Sequence, residues 1–175
     1  MTNKDNNGQG RLKALMSSES NEWGTPQALF DKLHAQYDFT LDPCATEGMA
    51  KCERYFTEAD DGLAQSWQRE RVYMNPPYGR AIGNWVRKAA EEDAELVVCL
   101  IPARTDTRYW HDYIFPKAAE IIFIKGRVRF VKHGTELGDA APFPSALVVF
   151  RKGHSGRPTL STVDIKELMK EVVTK

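Results

Sequence analysis

Residues 96–101 read Leu-Val-Val-Cys-Leu-Ile, six apolar side chains with no polar alternation. A strand with one wet face alternates with period two, so an unbroken run of this length predicts a strand buried on both faces. Such a strand needs helices above and below it. Leu29, Phe30, Leu33 and Tyr37 recur at helical spacing after Thr25-Pro26, which reads as an N-cap followed by proline at the first helical position. Ile82, Trp85, Val86 and Ala89 make a second such stripe. Further strands are predicted at 39–42, where Pro43 ends the run, and at 54–57, 72–75 and 143–151. One more runs from Ala119 to Ile124 and on to Phe130. Helices are predicted around 109–117 and over 163–173. Alternating strands and helices indicate an α/β domain with a mainly parallel sheet. The chain has 175 residues, 42% of them hydrophobic, which suits one domain over 21–175 and argues against global disorder. Residues 1–20 are polar and read as a flexible tail with a weak helical turn at Leu12 to Met16.

Charge and cysteine content narrow the function classes. Lys+Arg and Asp+Glu both number 24, so the net charge is zero and only a local concentration of charge can serve a polyanion. Cys44, Cys52 and Cys99 are odd in number and form no CxxC pair, which argues against a disulfide framework or a structural zinc site. The N-terminus lacks an apolar core of signal-peptide length, and the run Leu96 to Ala103 is too short to span a bilayer. A soluble cytoplasmic protein with no metal and no membrane partner is expected.

In parallel α/β sheets, ligands bind in the crevice at the carboxyl ends of the strands. The unusual residues fall there: Asp42-Pro43, Asn75-Pro76-Pro77-Tyr78 and Pro102-Ala103-Arg104. Two prolines directly after a strand cannot continue its ladder and fix an extended bend. The bend frees the Asn75 carboxamide and the Pro76 carbonyl as two acceptors, with the Tyr78 ring nearby. That set suits a planar substrate carrying an exocyclic amino group, whose two hydrogens go to the acceptors while the ring stacks. Taken alone, the tetrapeptide reads equally well as a proline-rich turn beside a core tyrosine.

Its company decides between these. Asn21-Glu22-Trp23-Gly24-Thr25-Pro26, Leu41-Asp42-Pro43-Cys44-Ala45, Asp60-Asp61-Gly62-Leu63 and Asn75-Pro76-Pro77-Tyr78 occur in that order. Leu100-Ile101-Pro102-Ala103-Arg104-Thr105-Asp106-Thr107, Lys125-Gly126-Arg127 and Pro142-Phe143-Pro144-Ser145 follow. This series resembles the amino-group methyltransferases, most closely the phage-type DNA N6-adenine methyltransferase (Dam) family. The resemblance implies a Rossmann-like methyltransferase fold, with a mainly parallel sheet and an antiparallel C-terminal strand. It also implies S-adenosylmethionine as cofactor, and methyl transfer to the N6 amino group of adenine at a specific site in double-stranded DNA. On that resemblance Trp23, Thr25 and Pro26 cover the methionine end of the cofactor, with the Thr25 hydroxyl or the helix N-terminus meeting its carboxylate. Asp42 accepts from its amino group, and Pro43, Cys44 and Ala45 form the pocket wall. Asp61, Gly62 and Leu63 contact the adenosine, Asp60 being the alternative carboxylate. Asn75, Pro76, Pro77 and Tyr78 hold the target base, and Asn75 also borders the cofactor. Residues 42–48 lack the multiple glycines of a dinucleotide fingerprint, which argues against NAD.

Lys125, Arg127, Arg129 and Lys132 fall within eight residues that include no acid. On one strand, 125, 127 and 129 share a face, making a basic stripe for DNA phosphates, with Arg104 and Arg108 as further candidates. The plainer reading is a solvated edge strand protected by charge. The polar loop 131–142 is the candidate reader of base edges. Two other readings stay open: amino methylation of RNA or of a protein glutamine, and a non-catalytic DNA-binding module on the same fold.

Overall fold

The computed structural model describes residues 23–132 and 136–173, so the anticipated tail and its helical turn lie outside the described residues. Along the chain come α1 (Gln27–Tyr37), β1 (Leu41–Asp42), β2 (Arg54–Tyr55) and a 3-10 turn over Glu58–Asp60. Next are β3 (Arg71–Met74), α2 (Ile82–Glu91), β4 (Leu96–Pro102) and a helix α3, π-wound over Trp110–Ile114 and α-wound over Phe115–Lys117. The chain continues through β5 (Glu120–Lys125), β6 (Arg129–Lys132), β7 (Glu136–Ala140), β8 (Ser145–Arg151), β9 (Thr159–Asp164) and α4 (Ile165–Leu168).

Seven strands form one sheet in the order β2-β1-β3-β4-β8-β5-β9. All run parallel except β8, which is antiparallel to both β4 and β5. A parallel sheet with one reversed strand inserted between β4 and β5 is the Rossmann-like methyltransferase fold. The reversed strand is the one expected over 143–151, although β9 follows it in the chain. All seven residues of β4 are buried, as the unalternating run predicts. Fully burying each of its Leu, Ile or Val side chains is worth about 1.5–3 kcal/mol. On one face α1 packs with α4, and Phe30 and Phe39 meet the ring of Tyr73. On the other, α2 packs with α3, and Trp85 stacks on Trp67.

Three expectations need correction. The strand predicted to run on to Phe130 ends at Lys125, because Gly126 turns with φ 92°. A Cβ there would lie 2.7 Å from Ile165 Cγ2, so the turn is closed against α4 and favours glycine twice over. The segment expected as a loop over 131–142 contains most of a β-hairpin, in which β6 pairs antiparallel with β7. The helix expected over 163–173 shrinks to α4, because residues from Thr159 to Asp164 pair with β5 as an added edge strand. Asp164 ends that strand and caps α4, its carboxylate accepting from Lys166 N at 2.9 Å.

The sheet has two chemically different ends. Arg71–Glu95, Lys88–Glu92 and Lys152–Asp93 ion pairs gather at the amino ends of the parallel strands. Asp42, Asn75 and Pro102 lie at the carboxyl ends, with the β6–β7 hairpin beside them.

Candidate active site

β1 and β3 are neighbours, so Asp42 and Asn75, one at and one just beyond their carboxyl ends, emerge side by side. The Asn75 carboxamide donates to the Trp23 carbonyl and, at 3.0 Å, to Thr25 Oγ1. Trp23 O can only accept, so the amide nitrogen must face it and the oxygen must face away. Asn75 Oδ1 is then a buried acceptor with no partner among the described residues. Leaving such a group unpaired costs about 1–3 kcal/mol, which marks it as poised for something absent from the fold. Pro76 is buried, and its carbonyl accepts no backbone hydrogen bond among the described residues.

Thr25 is 3% exposed, and its hydroxyl also bonds the Tyr73 hydroxyl at 2.5 Å. A chain Tyr73–Thr25–Asn75 therefore orients the carboxamide. Sequence reasoning missed Tyr73, yet the signal was there: residues 73 and 75 share one face of a strand. Thr25→Val should leave both partners short of a bond in a dry site and lower stability by about 1–3 kcal/mol, readable by chemical denaturation. Thr25→Ser should lose far less.

Asp42 is 5% exposed and accepts from Lys51 N at 3.0 Å and Cys44 N at 3.4 Å. Burial pushes its carboxyl up to about 6, against the lowering effect of those two N–H groups. Beside it, burial drives the Cys44 thiol well above its usual range, so it is neutral and not a nucleophile at neutral pH. Ala45 N donates to Phe56 O at 2.9 Å. Gly62 sits directly against Pro43: a Cβ there would lie 1.9 Å from the Pro43 carbonyl oxygen. The two acidic neighbours separate cleanly. Asp60 accepts from Thr57 N and Thr57 Oγ1, which holds its carboxyl below the usual range and closes the 3-10 turn. Asp61, at φ 51°, is exposed and makes no side-chain hydrogen bond among the described residues.

Tyr78 is 6% exposed; its hydroxyl donates to Leu100 O at 2.8 Å, and its ring meets Phe130 and Phe143 edge-on. Trp23 makes edge contacts with the same two rings. The sequence profile of the DNA N-6-adenine-methyltransferase (Dam) family matches residues 13–173. The chain belongs to that family. It is 30% identical over 158 residues to the DNA N-6-adenine-methyltransferase of Haemophilus phage HP1 (strain HP1c1), covering 86% of this chain and 91% of that one. It is also 30% identical over 139 residues to the DNA N-6-adenine-methyltransferase of Escherichia phage T1, covering 77% of this chain and 56% of that one.

In this Dam-family chain the basic residues are exposed but do not form one strand face as expected, because the chain turns at Gly126. Lys125 ends β5 and pairs with Asp164 at 3.5 Å, while Arg127 lies in the turn. Arg129 and Lys132 both reach solvent from β6, whose register shifts between Arg129 and Val131. A bulge of this kind puts residues of opposite parity on one side. Lys132 Nζ lies 4.8 Å from the centre of the Trp23 ring, and Gly24 and Val131 exchange both backbone hydrogen bonds. The hairpin is thus tied, through residues 23–24, to the carbonyl that holds Asn75. Arg104 and Arg108 lie apart from the hairpin, beyond the end of β4. His111 Nε2 pairs with Thr105 O at 2.8 Å, a role in the fold. No described helix is long and apolar enough to cross a membrane, and no metal-binding cluster occurs among the described residues.

Proposed function

We propose that this chain methylates the N6 amino group of adenine at a specific short site in double-stranded DNA, using S-adenosylmethionine. The observation that carries the reading is the pinned Asn75 carboxamide, whose unpaired Oδ1 stands beside the free Pro76 carbonyl. The adenine N6 lone pair is delocalised into the ring, so the amine is a poor nucleophile. Two fixed acceptors taking its hydrogens favour a pyramidal nitrogen and stabilise the positive charge that develops there. The cofactor supplies a methyl group on a sulfonium, and the N6 proton leaves to water.

The residues fit that cofactor. Asp42 is buried and ionisable, and the nearby Lys51 turns its Nζ to Gln27 Oε1 at 2.8 Å without ion-pairing it, which suits a cofactor amino group. Pro43, Cys44 and Ala45 wall the pocket, and Trp23 and Pro26 cover it. The Thr25 hydroxyl is already committed to Tyr73 and Asn75, so the first turn of α1 is the better seat for the cofactor carboxylate. Asp61 is free to accept from ribose hydroxyls, with Gly62 and Leu63 beneath the adenosine. The target base is flipped into the site, and entry requires the Phe130 and Phe143 rings to uncover Tyr78. Lys125, Arg127, Arg129 and Lys132 contact phosphates, and the hairpin tip reads base edges.

The test is to incubate the protein with labelled S-adenosylmethionine and duplex DNA, RNA or protein, then identify the methylated group. Label in N6-methyladenine of duplex DNA is expected; transfer only to RNA or protein would overturn the reading. A pH series checks the cofactor site. Cofactor affinity should fall by about tenfold per pH unit below about 6, as Asp42 takes up the proton that excludes an ammonium. Stability moves the other way. A carboxyl raised by burial contributes most below its unfolded value and loses that contribution as pH rises through about 6. Calorimetric titration beside thermal unfolding separates the two.

A further inference from the structure

A second concavity opens beside the Asn75–Tyr78 loop, a cleft of about 510 Å³ between α2 and α3. None of the residues around Asp42 or Gly62 lines it, so it is not the cofactor pocket. Four arginines line it, Arg80, Arg87, Arg104 and Arg108, against one carboxylate, Asp112. Arg87 is neutralised by Glu91 at 3.1 Å, and Arg108 lies 3.8 Å from Asp112. Arg80 and Arg104 have no carboxylate within ion-pair distance among the described residues. Both are also close to the catalytic loop. Arg80 is two residues past Tyr78, and the Arg104 guanidinium lies 5.7 Å from the Phe143 ring that packs on Tyr78 at 5.5 Å. The first turn of the ten-residue α2 lines the cleft through Ile82 and Gly83, and no side chain caps that helix. Ile82 N donates to Gly79 O at 3.2 Å and Asn84 N to Ala81 O at 3.0 Å, so of these first-turn groups Gly83 N–H alone is left among the described residues to favour an anion.

We infer that this cleft holds the sugar-phosphate backbone of the target strand, with Arg80 and Arg104 gripping the phosphates that flank the flipped adenine. The inference rests on the proposed function for its placement of the base. A nucleotide whose base lies against Asn75–Tyr78 carries its own two phosphates within one nucleotide's length of that loop, where the two unpaired guanidinium groups stand. Their planar forks suit phosphate oxygens. The hairpin cations, which do not line the cleft, are left for the neighbouring duplex.

The experiment measures binding of a fluorescein-labelled duplex by anisotropy across a salt series, for wild type, Arg80→Gln, Arg104→Gln and Lys152→Ala. Lys152 is at the far end of the sheet and serves as the charge control. Arg80→Gln and Arg104→Gln should each reduce the slope of log affinity against log salt by about 1, and Lys152→Ala should not. Arg80 is exposed and without a polar partner among the described residues, so its variant serves even if Arg104→Gln fails to fold. A second duplex carries neutral methylphosphonates on either side of the methylated adenine. Wild type should bind it more weakly than the native duplex, and Arg80→Gln should bind the two alike. Unchanged salt slopes in the folded variants, or an undiminished methylphosphonate effect in Arg80→Gln, would overturn the cleft assignment. Failure of wild type to methylate any duplex is a separate outcome that removes the proposed function. The methylphosphonates then mark no target adenine, and the target-strand assignment falls with it.

Discussion

Asn75→Ala should lower the methylation rate by at least about 10²–10³-fold while the protein stays folded and still binds cofactor. That range is what loss of one preorganised hydrogen-bonding group at a developing charge costs in other active sites. The effect here should be concentrated in kcat. Oδ1 has no partner among the described residues, so its contribution appears only when the substrate amine gains charge. Asn75→Asp separates the two ends of the amide. The carboxylate keeps an acceptor for the amine but turns its other oxygen toward the Trp23 carbonyl, where a donor now sits. Its rate should fall between wild type and the alanine variant. Single-turnover kinetics with calorimetric cofactor titration would check both, and wild-type turnover in Asn75→Ala would place the chemistry elsewhere.

Gly62→Ala should be the most damaging glycine-to-alanine change among the described residues. The added carbon would lie 1.9 Å from the Pro43 carbonyl oxygen and 3.1 Å from the Trp85 ring, so the chain must move. Backbone cannot yield as a flexible side chain can. The loop is further pinned by Trp67 Nε1, which donates to the Gly62 carbonyl at 3.0 Å. The cost should reach about 3 kcal/mol, the upper end for overpacking. For a chain of this size that lowers Tm by about 6–12 °C. Any displacement of Pro43 shifts its peptide-bonded neighbour Asp42, so cofactor affinity should fall with stability. An alanine variant with unchanged melting and cofactor binding would refute the close packing. Gly48, whose Cβ would meet nothing, makes a useful contrast for crowding, although its φ of 77° still favours glycine.

Much of this was legible in the residues, and what was not has a physical reason. The run at 96–101 admits one buried-strand reading, and β4 is that strand. The bend after β3 follows from two prolines that cannot join a ladder. The Asp60–Asp61 choice was open because both are short acids in a turn. In the fold the Asp60 carboxylate turns back on Thr57 and the Asp61 carboxylate does not. That the Thr25 hydroxyl can hydrogen-bond is legible in its residue type, but its partners within the fold are not. The partners come from β3, nearly fifty positions away. Helical spacing after Val163 was real but local. Pairing with β5 decides the segment, and the sequence around 163 says nothing about a strand forty residues earlier. Gly126 shows the same: a glycine between Lys125 and Arg127 looks harmless until Ile165 closes over it.

The reversed direction of β8 has a consequence for how such an enzyme can change its target. Because β8 runs opposite to β5, the chain leaves the sheet after Lys125 and re-enters at Ser145 at the same end, between strands that are hydrogen-bonded neighbours. The excursion through β6 and β7 therefore begins and ends at one doorway. Lengthening it adds only slowly growing loop-closure entropy, and neither β1 nor β3 need register the change. A parallel strand in that place would oblige the chain to cross the whole sheet and would bury the excursion under a helix. The topology lets residues 126–144 vary in length, provided that Phe130, Val131 and Phe143 keep their contacts with Tyr78, Gly24 and Trp23.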